Sequence, residues 1–207
     1  ISNVENSAIV SLLIENGADI NITNDDGKTP LMMALSKDKF KIAKVLIRNG
    51  AKVNITNDEG KTPLILAASR GDKEMVKNLI KRGAKINVSD NDGDTPLIKA
   101  VENNNLDIVK ILIEDGTNES DLTDALISAA SEGNLEIAKL LIKNGARVNP
   151  SDDKNSPLRA AVWNDNIEVI KMLIDNSADV NVKDSFGYTP LMIELLYDYN
   201  GNPEIAK

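Results

Sequence analysis

Two short landmarks recur through this chain in one register, and their period limits its architecture more than any other feature. Thr-Pro-Leu stands at Thr29-Pro30-Leu31, Thr62-Pro63-Leu64, Thr95-Pro96-Leu97 and Thr189-Pro190-Leu191, and its first three copies are 33 residues apart. Asp124-Ala125-Leu126 and Ser156-Pro157-Leu158 are weaker copies that fill the gap. The second landmark runs Asn16-Gly17-Ala18, Asn49-Gly50-Ala51, Arg82-Gly83-Ala84, Asp115-Gly116-Thr117, Asn144-Gly145-Ala146 and Asn176-Ser177-Ala178. A fixed period of this length means stacked like units rather than one globular core.

Each unit reads as a helix pair followed by a loop. Thr, Asp or Ser supplies an N-cap oxygen, and Pro at the first helical position needs no amide partner. In the second full unit a short helix is expected from Pro63 to about Ser69, with Leu64, Ala67 and Ala68 as its apolar stripe. A second helix is expected over 74–81, carrying Met75, Val76, Leu79 and Ile80 at helical spacing. Gly83 then stands where a left-handed cap is needed. The polar run Asn87-Val88-Ser89-Asp90-Asn91-Asp92-Gly93 is rich in turn formers and suits a hairpin-like finger. Neither helix is long enough to persist alone, so the units must stack.

Composition agrees with many small aliphatic contacts rather than one bulky core. Apolar residues reach 42 % of the 207, yet the rings number only one Trp, three Tyr and two Phe. There is no Cys and no His, which removes disulfides, thiolate chemistry, imidazole bases and the common zinc ligands. The 24 basic residues against 32 acidic ones leave a formal charge of −8, which argues against nucleic acid and anionic membrane as partners. No apolar run approaches the roughly 18–20 residues a bilayer requires.

With its Thr-Pro-Leu openings, Gly-Ala…Asn exits and 33-residue period, nearly the whole chain resembles the ankyrin repeat family. The resemblance implies an all-α solenoid of stacked helix-turn-helix units with short β-hairpin-like fingers. It implies a single domain over 1–207, with five full helical pairs and a partial unit at each end. One departure recurs. The residue after Thr-Pro-Leu, usually His in this family, is Met32, Ile65, Ile98, Ile127, Arg159 and Met192 here. Aliphatic packing is expected to replace the histidine's hydrogen bond to the Thr column. An outer helix is expected at 7–15, and Glu204-Ile205-Ala206-Lys207 matches the start of another at Glu136-Ile137-Ala138-Lys139, after an insertion around Tyr199–Asn202. Between Gly116 and Leu126 the finger at 117–123 is largely deleted, which divides the repeats into two groups.

Other motifs dissolve into the repeat. Gly27-Lys28-Thr29 and Gly60-Lys61-Thr62 look like the end of a phosphate-binding loop, but the required upstream Gly is Ile22 or Ile55. Asp90-Asn91-Asp92-Gly93-Asp94 lacks the Gly spacing and distal Glu of a calcium loop. The sequons at Asn21, Asn54 and Asn87 share one repeat register, and a fourth stands at Asn118. No nucleophile elbow or clustered carboxylate pair marks a catalytic centre, so the chain is not expected to be an enzyme, nor to hold a cofactor or metal.

Comparing columns within the chain isolates one end. Five residues after the Leu column stand Ser36, Ser69, Glu102 and Ser131, then Trp163 and Leu196. One position further, the polar column ends in Tyr197; three before the Leu column it ends in Tyr188, and five before in Phe186. Arg159 replaces an aliphatic residue one helical turn before Trp163. By resemblance these columns line the concave face and fingers, where ankyrin domains dock partners. The expected binding set is Arg159, Trp163, Phe186, Tyr188, Leu196 and Tyr197, with the finger acids Asp26, Glu59, Asp92 and Asp94. Six finger segments hold 13 acidic and 4 basic residues, so the charge is an acidic fringe on a nearly neutral scaffold.

The expected function is therefore a non-enzymatic protein-binding module whose unidentified protein partner carries a basic surface, with the chain itself a monomer. The alternative is an ankyrin segment of a larger enzyme or exported effector whose activity lies outside this chain. A cytoplasmic location is favoured, with secretion or export left open.

Overall fold

A computed structural model describes residues 3–151 and 156–196, which form twelve helices and no strand among the described residues. They divide into two compact units, one ending at Thr117 and the other beginning at Asn118. In the first unit α1 (Asn3–Glu15), α3 (Phe40–Arg48), α5 (Lys73–Lys81) and α7 (Leu106–Glu114) stack as outer helices. Beside them α2 (Pro30–Ser36), α4 (Pro63–Arg70) and α6 (Pro96–Glu102) stack as inner helices. In the second unit α8 (Glu119–Ser131), α10 (Pro157–Trp163) and α12 (Pro190–Leu196) are inner, and α9 (Leu135–Lys143) and α11 (Ile167–Asp175) are outer. The expected helices at 63–69 and 74–81 each gain one residue, and the N-terminal outer helix begins at Asn3 rather than near Ser7.

The sequence starts these helices where the caps demand. Main-chain N–H groups of Met32, Ile65 and Ile98 donate to the hydroxyls of Thr29, Thr62 and Thr95 at 3.2–3.3 Å, and Arg159 and Met192 repeat the bond to Ser156 and Thr189. The Thr column is thus satisfied by the amide of the very residue that replaces the family's His. Met32 and Ile65 meanwhile bury their aliphatic chains completely. Inner helices then stop at a left-handed residue, Asp38, Gly71, Asn104, Gly133 or Asp165. At the outer-helix ends, Asn16, Asn49 and Asn144 donate their side-chain amides to the carbonyls four residues back, at 2.8–2.9 Å, and a left-handed Gly follows each.

Fingers follow a second rule. Asn24, Asn57, Asp90 and Asp184 each close a five-residue turn, their main-chain N–H donating to the carbonyl four residues on. Their side-chain oxygens accept the main-chain N–H of that same residue at 2.8–2.9 Å. Each finger in the first unit hangs on its neighbour: Asp58 donates to the Asp26 carbonyl and Asn91 to the Glu59 carbonyl. The sequon asparagines have the same use. Asn54 accepts from the Lys85 amide at 2.9 Å and donates to the Gly83 carbonyl at 2.9 Å. Asn21 accepts from Lys52, and Asn87 donates to Gly116.

The shortened finger is not a loop. Asn118 accepts from the Asp121 amide at 2.8 Å and caps α8, so residues 119–123 add helix where other units have a finger. Burial, with Asp124 adding to it, pushes the Asp121 carboxyl above its ordinary pKa, against a hydrogen bond from Asn118.

The fingers' close approach is testable. At Gly60 a Cβ would lie 2.5 Å from Asn91 Oδ1 and 2.9 Å from the Asn91 main-chain nitrogen, whereas at Gly50 it would meet nothing within 4 Å. Both glycines are left-handed. Gly50→Ala is expected to cost only the left-handed penalty, about 1–2 kcal/mol. Gly60→Ala is expected to cost clearly more. Urea unfolding midpoints compare them, and equal losses would refute the contact.

Candidate functional site

In the first unit three of the finger acids are paired with lysines. Lys28 Nζ lies 3.4 Å from Asp26, and Lys61 Nζ 2.6 Å from Glu59. The hydrogen bond and charge of Lys61 hold the Glu59 carboxyl below the usual carboxylate range. Asp94 pairs with Lys99, which also reaches Glu102 at 2.9 Å. Burial works against the charged Lys99, yet its two acidic partners leave its pKa raised. Asp92 is exposed and carries no ion pair among the described residues. The exposed pairs at Asp26 and Glu59 contribute little to stability, and Lys99, which lies outside the counted finger segments, offsets one further acid.

Asp90, Asp92 and Asp94 place three carboxylate oxygens within 4.8 Å of one another. Asp90 Oδ1 already accepts from the Asp92 and Asp94 amides, at 3.0 and 2.9 Å, and Lys99 neutralises Asp94. The three acids shape a turn first.

The second unit holds the aromatic set, and one carboxylate organises it. Asp184 Oδ1 accepts from the main-chain N–H groups of Phe186 at 2.8 Å and Tyr188 at 2.9 Å. Its other oxygen, Oδ2, accepts from Arg159 Nη2 at 3.1 Å. Burial alone would raise the Asp184 carboxyl. The amides of Tyr188, Phe186 and Gly187, with the Arg159 guanidinium, hold it below the ordinary aspartate range instead. The Arg159–Asp184 pair is mostly buried and ties α10 to the finger. Trp163, one turn beyond Arg159, is 57 % exposed, Phe186 is 84 % exposed, and Tyr188 is also exposed.

Of the sequence candidates, the structure brings Arg159, Phe186 and Tyr188 together around Asp184, with Trp163 on the helix that Arg159 anchors. Leu196 closes α12. Tyr197 lies outside the described residues, as do the insertion at 199–202 and the helix start at 204–207. Asp26, Glu59, Asp92 and Asp94 belong to the other unit.

Asp184 is absent from the candidate set, though a signal for it exists. Arg159 precedes it by 25 residues, and the same spacing separates Met32 from Asn57 and Ile65 from Asp90. Where the earlier residue is Ile65, the buried Asp90 Oδ2 has no hydrogen-bond partner among the described residues. A column pairing basic with acidic in one unit and aliphatic with acidic in another marks the first pair as built.

The repeat geometry now has an independent match. Ankyrin-repeat family models, each of three copies, cover residues 1–90, 41–124 and 117–184. The chain belongs to the ankyrin repeat family. The crystal structure of the human ASB11 ankyrin repeat domain aligns over 92 % of this chain and 88 % of its own, at 27 % identity and a TM-score of 0.81. The ankyrin repeat domain of Bcl-3, described as a unique member of the IkappaB protein family, aligns over 90 % and 86 %, at 25 % identity and a TM-score of 0.74. No curated protein matches the chain significantly. Ankyrin domains are protein-binding modules, typically without catalysis, and no enzyme family matches this one. No helix among the described residues is long and apolar enough to cross a membrane.

The two finger aspartates should respond oppositely to Asp→Asn. Asn57 shows that an asparagine serves the turn. Asp90→Asn should therefore leave the Tm unchanged or raise it, since it removes an unpartnered buried oxygen's charge. Asp184→Asn should lower the Tm by several degrees at pH 7, because it sets an amide against the Arg159 guanidinium. The depressed Asp184 pKa makes its contribution full above the unfolded value of about 3.9 and lost as pH falls through the lower folded value. The gap between wild type and Asp184→Asn should accordingly close in strong acid. Calorimetric scans across pH check both signs.

Proposed function

We propose that this ankyrin domain is a non-enzymatic binding module that docks a protein partner on its inner helices and fingers, with Trp163, Phe186 and Tyr188 as anchors. The carrying observation is the Asp184 carboxylate, which fixes the backbone under two exposed rings and, through Arg159, the helix under the third. Exposed aromatic rings on a pre-set backbone lose little freedom when covered, so their burial converts efficiently into affinity. Arg159 serves this surface from beneath, as a mostly buried strut. Leu196 and Tyr197 extend the same columns, and their inclusion rests on that register alone.

Asp26, Glu59, Asp92 and Asp94 would steer a partner with a basic surface rather than anchor it. Three of the four already hold a lysine, and rim charges act on association rate more than on affinity. Asp92 is the acid most available to an incoming cation.

Affinity capture with the intact domain, Trp163→Ala, the Trp163→Ala/Tyr188→Ala pair and Asp26→Asn tests the assignment. Trp163→Ala should weaken capture of a specific protein by about 30-fold, in line with an anchor worth ~2 kcal/mol, and the pair by more. Asp26→Asn should change it by less than about threefold at physiological salt. Equal losses from Trp163→Ala and Asp26→Asn would sink the anchor role.

A further inference from the structure

The scaffold that carries the acidic fingers is not evenly neutral. Residues 41–52 and 74–85 each take in most of an outer helix and the cap after it. Together they hold eight basic residues and one acid, Glu74, a local charge of +7 in a chain of −8. Six of the cations form a grid in repeat register: Lys44 beside Lys77, Arg48 beside Lys81, and Lys52 beside Lys85. Lys44 is half-buried and the other five are exposed. Lys44 and Arg48 stand one turn apart on α3, as do Lys77 and Lys81 on α5, off the stripes that bury Ala43, Leu46, Val76 and Leu79. Acids bound the grid on both sides. The Arg48 column reads Glu15 at α1 and Glu114 at α7, and the Lys52 column begins with Asp19, all three exposed.

None of these six cations is ion-paired among the described residues. Elsewhere the lysines are used. Lys28, Lys61 and Lys99 all hold finger acids. In the second unit the same three columns read Lys139, Lys143 and Arg147, where Lys139 reaches Glu136 at 2.8 Å and Arg147 pairs with Glu119. On α7, Asp107 is taken by Lys73 at 3.0 Å. The hydrogen bond and charge of Lys73, then the charges of Lys110 and Lys77, hold the Asp107 carboxyl below the ordinary range. The helix dipole accounts for Arg48 and Lys81 in their last turns. It gives no use to Lys44, Lys77, Lys52 and Lys85, and like charges one turn apart repel, so the grid works against folding.

We infer that the outer face of α3 and α5 docks an acidic segment of a partner protein. This is a second surface, in the other unit from the aromatic anchors and opposite in charge to the fingers. Its cations repeat at about 6 Å along a helix and about 8–10 Å between helices, within reach of the carboxylates of one short acidic stretch. A duplex or an anionic bilayer is broader and would meet Glu15, Asp19 and Glu114 as well as the cations, which disfavours both.

Fluorescence anisotropy of labelled decaglutamate, titrated with the whole chain, tests this. Wild type should bind the peptide, and the affinity should fall steeply between about 0.05 M and about 0.5 M salt. Lys44→Glu/Lys77→Glu should weaken binding by about tenfold or more, whereas Lys139→Glu/Lys143→Glu, which changes the net charge equally, should change it by less than about threefold. Trp163→Ala should leave it unchanged, so this surface and the aromatic one fail or stand separately. Lys44→Gln/Lys77→Gln replaces the first pair if circular dichroism shows that pair unfolded. The same titrations are run with a short DNA duplex and with vesicles of three parts phosphatidylcholine to one of phosphatidylserine. No binding of the peptide, binding indifferent to salt, equal losses from the two lysine pairs, or tighter binding of the duplex or the vesicles than of the peptide would overturn the inference.

Discussion

Helices of seven to nine residues do not persist alone in water, and nearly every helix described here is that short. Their stability comes from burial against the helix before, the helix after and the partner in the same repeat. Leu64, Ala67 and Ala68 show the economy of this scheme: three small aliphatic side chains, fully covered, hold one inner helix in place. No large ring is required, which is why a chain with so few aromatics packs well and why its exposed aromatics stand out. A core made this way is divided among many contacts, each between neighbours.

Polar chemistry then sets where each element begins and ends. A Thr or Ser hydroxyl starts the inner helix, a left-handed residue stops it, and an Asn or Asp closes the finger by accepting two main-chain amides. The same finger residue is a neutral amide at Asn57, a carboxylate with one idle oxygen at Asp90, and a carboxylate with both oxygens in use at Asp184. Only in the last case is the second oxygen tied to a helix, and only there do rings crowd the surface.

Fold and register were legible because Thr-Pro-Leu and Gly-Ala carry their own physical reasons, a cap and a left-handed stop. The capping amide at Ile65 explains how the Thr column does without a histidine. The finger at 117–123 was less legible. Its deletion shows in the spacing, but that Asn118 would cap a longer helix depends on Leu122 and Thr123 finding buried places, which periodicity does not report. Among the candidate residues, the columns that end in Trp163, Phe186 and Tyr188 were legible, while the pairing of the finger acids was not. Counting acids in the fingers says nothing about Lys28, Lys61 and Lys99 turning toward them.

The outer-helix ends have a chemical consequence. Asn16-Gly17, Asn49-Gly50 and Asn144-Gly145 are dipeptides that in a loose chain cyclise and lose ammonia, the glycine nitrogen attacking the asparagine side chain. Here both reactants are occupied: the Asn49 amide is bound to the Val45 carbonyl, and the Gly50 N–H to the Ile47 carbonyl. The left-handed cap that ends each helix thereby also protects it from ageing, and a slow conversion to aspartate at these three sites would record how often the ends of α1, α3 and α9 come undone.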